Sequence, residues 1–327
     1  MRFPFLPALL LVALIVPILH AQSNQLEQNQ MAVVSFDVDM DKIRNSEMSK
    51  TLDLESKMGL AAKSRSESLD PAKVKRFYGA SSAPESMEKA QGYKGEGPLP
   101  VEFFTRVVMV DIAAAEEAMK QIQEKGEAVE IGGKTFYKST DEAAPEGLLA
   151  YRVDETTIEM GTEAYLLRPD RKVFTEGLMA AQKKAPDEAV KIVMDLEGAS
   201  SLVAELQELA ATTGPPNFAA YYELIGTISG MHITIDMDGD NLLTIGMTGK
   251  SEEEAEEIEG GLNSLLMMGK MAGMSQVGNL KQMSPDLGGM AEEILKALEA
   301  GRTGEDVSVK LIHPEGLATA IKGMMGG

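Results

Sequence analysis

The run Val190-Lys191-Ile192-Val193-Met194-Asp195-Leu196 reads as a buried strand, and it opens the stretch that decides the fold. Residues 200–211 follow with helical spacing, and Pro215-Pro216 starts a second helical segment. Asp238-Gly239-Asp240-Asn241 then turns a hairpin. A helix beginning at Glu252 closes the stretch and runs into Met267, Met268, Met271 and Met274. Strand, helix, helix, hairpin, helix is an α+β order, unlike the strict strand–helix alternation that builds a parallel sheet.

The same order reads once more on the N-terminal side. In residues 32–40, Val34, Phe36, Val38 and Met40 alternate with Ser35, Asp37 and Asp39, as in a strand with one buried face. Asp70-Pro71 reads as a cap followed by the first residue of a helix through Tyr78. Residues 101–110 form a strand, Asp111 caps a helix over 112–125, and Gly132-Gly133 turns a hairpin between 129–131 and 134–138. Residues 148–153 and 157–167 pair around Asp154-Glu155, and Asp170 caps a helix that reaches Lys184. Strand 190–196 corresponds to 32–40, and 218–225 to the helix after Pro71. Strand 242–248 with its acidic helix corresponds to 101–110 with the helix at 112, and 307–312 to 157–167. The sequence therefore predicts two related α+β modules, 32–186 and 187–327, each a mainly antiparallel sheet with helices packed on one face.

Ahead of these modules, Arg2 precedes an apolar run over 3–19 that is interrupted by Pro7 and Pro17. A membrane span needs about 20 apolar residues, so residues 1–21 read instead as an export signal, cleaved after Ala21 or after Ser23. The Gln- and Asn-rich residues 22–31 read as a disordered leader. The chain has no cysteine and no Asn-x-Ser/Thr acceptor, which suits bacterial export to a periplasmic or extracellular location. Its 327 residues are 44% hydrophobic but only 5% aromatic, with 22 Met, so aliphatic residues and methionine must fill the core. A formal net charge of −20 repels phosphate backbones and argues against nucleic acid as a partner.

Val153-Asp154-Glu155-Thr156-Thr157-Ile158-Glu159-Met160-Gly161-Thr162-Glu163-Ala164 resembles a segment of exported proteins from planctomycete-type bacteria. In those proteins an acidic, Thr-containing turn enters a strand that ends in Gly-x-Glu and leads to a helix. The resemblance implies export and an α+β fold; it implies no activity, cofactor or catalytic residue.

Catalytic chemistry has little to build on. Without the signal, the histidines are His232 and His313, and with no cysteine or His pair at ligand spacing a zinc site is not specified. Gly132-Gly133-Lys134-Thr135 looks like the end of a phosphate loop, but Ala128 stands where the first glycine belongs, and a strand follows. Asp37, Asp39 and Asp41 have the spacing of a calcium loop, with Lys42 in place of its turn glycine and Met48 in place of its last glutamate. Asp236, Asp238 and Asp240 place the glycine wrongly for the same motif. The run from Glu252 to Glu259 complements a helix N-terminus and reads as a solvated face. No cofactor is implied.

The methionines are the candidate site. A continuous helix would bury Ala255, Ile258, Leu262, Leu265, Gly269 and Ala272, leaving Met267, Met271 and Met274 on the opposite face and Met268 nearer the core. Either the helix breaks at Gly269 or Gly273, or an apolar face emerges where a polar one is expected. The Gly- and Ser-rich residues 275–289, with Met283, read as a mobile segment. Three readings stand: methionines buried by neighbouring elements, a docking face for a protein partner or apolar ligand (Met267, Met271, Met274, Met283), or a thioether site for Cu(I). A carboxylate- or metal-dependent hydrolase is the enzymatic alternative.

Overall fold

The computed structural model describes residues 31–53, 70–84, 101–140, 147–167, 174–213, 223–283, 285–314 and 317. Both the export signal and Asp170 lie outside them. The chain is α+β, as the element order predicts, and its strands form an extensively antiparallel sheet.

Strand β1 (Ala32–Asp39) stops where the Asp39 carboxylate accepts a hydrogen bond from Lys42 N (3.0 Å) and caps α1 (Met40–Asn45). Ser46 caps α2 (Glu47–Leu52) in the same way. The helix expected after Asp70-Pro71 is replaced by a single 3₁₀ turn, Pro71–Lys73, and then β2 (Val74–Ser82). Local capping geometry is present, since Asp70 accepts from Ala72 N (3.0 Å), but tertiary partners override it. Arg76 donates to Asp37 Oδ1 (2.7 Å) and Phe77 packs on Phe36, with ring centroids 6.1 Å apart.

Beyond β3 (Phe103–Met109), Asp111 accepts from Ala114 N (2.7 Å) and starts α3 (Ile112–Glu124). The hairpin β4 (Gly126–Ile131) and β5 (Lys134–Ser139) turns at Gly132 and Gly133 with φ of 59° and 76°, the left-handed pair that a two-residue turn of this kind requires. Next come β6 (Leu148–Arg152) and β7 (Thr157–Thr162). The latter ends five residues earlier than its sequence suggests, because Glu163–Leu166 wind into α4. Then follow α5 (Glu176–Lys184), β8 (Val190–Asp195), α6 (Ser200–Thr213), β9 (Ile228–Ile235) and β10 (Asn241–Gly249). Helices α7 (Glu252–Met283) and α8 (Pro285–Ala297) lead to the closing strands β11 (Leu298–Thr303) and β12 (Asp306–Ile312).

The strand order is β11-β12-β10-β9-β8-β1-β2-β3-β7-β6-β5-β4. From β3 the chain crosses through α3 and returns to lay β7 antiparallel to β3; from β10 it crosses through α7 and α8 and returns to lay β12 antiparallel to β10. Compactness divides the chain differently from this order along the sequence. One unit takes the described residues of Met1–Ser35, Tyr78–Met179 and Asp195–Gly226, and the other those of Phe36–Phe77, Ala180–Met194 and Thr227–Gly327. Strands β1, β2 and β8 each contribute residues to both.

In the first unit α3 packs on the sheet, and Val107, Met109, Ala115, Met119 and Ile158 are buried. Glu159 is also buried, ion-paired with Arg106 and accepting from the Tyr151 hydroxyl (3.2 Å). Burial alone would lower the Arg106 pKa, but hydrogen bonds to Glu159 and Tyr78 outweigh it and hold the guanidinium above its ordinary value. Buried Asp195 accepts from Thr175 Oγ1 (2.5 Å) and Gly198 N (2.8 Å), tying together the starts of α5 and α6. A side chain at Gly177 or Gly198 would collide with that carboxylate. In the second unit Met48, Leu52, Ala189, Met237 and Leu317 form a core against which Met290 and Ile294 of α8 pack.

Candidate functional site

Helix α7 starts from a reciprocal cap in which Ser251 Oγ accepts from Glu254 N (3.2 Å) and donates to Glu254 Oε2 (3.3 Å). It continues unbroken for 32 residues, about 48 Å at the usual rise, through Gly260, Gly269, Gly273 and Gly278. The break considered at Gly269 or Gly273 is absent. Residues 275–283 are the last turns of α7, and Pro285 opens α8, so the segment read as mobile is helical wherever it is described.

One face of α7 is packed. Ala255, Ile258 and Val277 are buried, Lys270 Nζ donates to Leu298 O (2.6 Å), and Gly273 faces the side chain of Leu295 on α8. The buried row therefore passes through Lys270 and Gly273, whereas the apolar pattern places it through Gly269 and Ala272, which are both exposed. Residue type misleads here because α8 and β11 determine which side is covered. A lysine can lie on the covered side when its stem is apolar and its ammonium finds a carbonyl.

The methionines lie on the part of the helix that these neighbours leave uncovered. Met267 is 63% exposed, Met271 62%, Met274 43% and Met268 40%. The buried-core reading fails for all four, and Met268 joins the exposed group although the helical wheel sets it nearer the core. Met283 ends α7, but its side chain lies outside the described part. Among the described residues, four of the nine large exposed hydrophobic side chains fall within these eight positions. Charge is sparse around them: between Gly260 and Met283 the only charged residues are Lys270 and Lys281. The first is held by Leu298 O and the second by Glu292. Earlier on α7, Glu252, Glu253, Glu256 and Glu257 are exposed, while Glu259 accepts from Arg302 Nε (3.1 Å).

Five of the aspartates in the two acidic motifs are engaged by other parts of the chain or by their own turns. Asp37 is paired with Arg76, Asp39 caps α1, and Asp41 accepts from Arg44 (2.5 Å). Asp236 accepts from Asp238 N (3.0 Å), and Asp238 accepts from Glu47 N (2.8 Å). Among the described residues no three His, Cys, Asp or Glu side chains are grouped to hold a metal ion. His232 is half-buried beside Gly246; burial lowers its pKa, Asp306 opposes that, and Lys184 reinforces it. An open cleft of about 490 Å³ lies in the first unit, and no acid or histidine lines it. No described helix is long and apolar enough to cross a membrane.

No family model and no curated protein matches the sequence. Among solved structures the chain is similar to the protein TP0453 in three crystal forms. Form I is 11% identical with a TM-score of 0.39, covering 94% of this chain and 96% of that one. Form III is 11% identical (0.38; 94% and 97%), and form IV 10% identical (0.40; 94% and 96%).

Proposed function

We propose that this is an exported bacterial binding protein that docks a protein partner through the methionine face of α7. The observation that supports this is the set Met267, Met268, Met271 and Met274, contiguous and 40–63% exposed on the part of the helix that its neighbours leave uncovered. Contiguous exposed apolar side chains are costly in water and characteristic of interaction surfaces, and methionine adapts to varied partner shapes. Met267 and Met274 are separated by about 10 Å of helix rise, which favours a strip-shaped occupant over a point ligand such as one Cu(I) ion. Exposed glutamates on the preceding turns select an occupant that follows an apolar strip with basic residues.

The test is site-specific crosslinking in producing cells. A photo-crosslinking amino acid at Met267 should give a discrete adduct whose partner segment is amphipathic and basic, and the same group at exposed Glu127 should not. Because Met271 is 62% exposed, Met271→Glu should change stability by no more than about 0.5 kcal/mol and still abolish the adduct. Equal adducts from Met267 and Glu127, or an adduct that survives Met271→Glu in the folded protein, would overturn the proposal.

A further inference from the structure

The cleft of the first unit opens where the sheet splits. Strands β5 and β6 are registered at only two pairs, Tyr137↔Ala150 and Lys138↔Leu149, so toward the Gly132-Gly133 turn no ladder joins them. The cleft occupies that gap under the C-terminal half of α3. It is lined by the ring of Tyr151, which tilts against Phe136 at 4.8 Å, and by the apolar side chains of Met119 and Val153. The Tyr151 hydroxyl is directed to Glu159, so only the ring is offered to the cleft. At the mouth, Gln123 Nε2 donates to the Tyr137 hydroxyl (3.1 Å).

Lys134 sets the chemistry. It is the first residue of β5, exposed, with its ammonium 5.2 Å from the centre of the Tyr151 ring and no ion pair among the described residues. Neighbouring Arg152 differs, since its guanidinium donates to the carbonyls of Asp154 and Glu155. Lys134 and Arg152 therefore bring positive charge to a cleft that no described acid lines. The volume lies within the several hundred Å³ typical of small-molecule sites.

We propose that this cleft binds a small organic anion with a flat apolar body. The anionic group meets Lys134, and the body lies over Tyr151 between Met119 and Val153. This site is independent of the methionine face, which lies in the other unit.

The probes are 8-anilinonaphthalene-1-sulfonate and the uncharged N-phenyl-1-naphthylamine, titrated by fluorescence against the full mature chain. Lys134→Gln should weaken the sulfonate about tenfold, the scale of one charge-assisted contact, and leave the neutral probe within about twofold. Met271→Glu should change neither affinity. No saturable sulfonate binding by the parent, or equal sulfonate affinity in folded Lys134→Gln, would overturn the inference. Loss of binding in Met271→Glu but not in Lys134→Gln would likewise overturn it and assign the probe to α7.

Discussion

Glu188 and Asp236 bring two carboxylates together in the second unit. Burial raises the Glu188 pKa, and the charge and hydrogen bond of Asp236 raise it further, against an opposing pull from Lys42. A folded-state pKa above the unfolded value means that this group favours the fold at low pH. That contribution is complete below the unfolded value, near 4.5, and is lost as pH rises through the folded one. Glu188→Gln, an uncharged isostere, should therefore melt at a higher temperature than the parent at about pH 7, and the difference should vanish in melts at acid pH where Glu188 is protonated. A variant less stable at neutral pH would mean that Lys42 controls the site. The same scale shows why the calcium-like aspartates were legible as acidic but not as occupied: Arg76, Arg44 and the Glu47 N–H reach them from other parts of the chain.

At the scale of the element, α7 holds four glycines and stays continuous. Capping by Ser251 and Glu254 and packing on α8 compensate for the weak helix propensity of glycine. Lys281 and Lys296 both grip Glu292, joining α7 to α8 and holding its carboxyl at a pKa of about 2. A methyl group added at Gly269 would meet open space. Gly269→Ala should therefore stabilise the protein by about 0.5–1 kcal/mol in denaturant unfolding, by reducing the entropy of the unfolded chain. Destabilisation would show that the outer face is closed where it looks open. The hairpin at Gly132-Gly133, the cap at Asp111 and the start of α7 could be read from sequence because each signal is complete within a few residues, whereas the cap at Asp39 lies inside a run whose alternation reads as strand. Residues 74–82 could not: Asp70-Pro71 is a sound helix start, and only pairing in the sheet makes the following residues a strand.

At the scale of the molecule, the proposal of export predicts a processed N-terminus at Gln22 or Asn24 when protein from producing cells is analysed by mass spectrometry, and intact Met1–Arg2 in the mature pool would refute it. Sequence by itself determined the α+β class, the strand pairs joined by tight turns, the acidic surface and the existence of a methionine row out of phase with its helix. These follow from periodicity, caps and turns, which act over a few residues. Tertiary structure alone decided that β2 is a strand, that α7 does not break, and that its buried row runs through Lys270 and Gly273. It also exposed Met267, Met268, Met271 and Met274 and placed Lys134 over the ring of Tyr151. Burial is a property of what lies opposite a side chain, and for these residues that is set by α8, β11 and the parting of β5 from β6, segments distant in the chain.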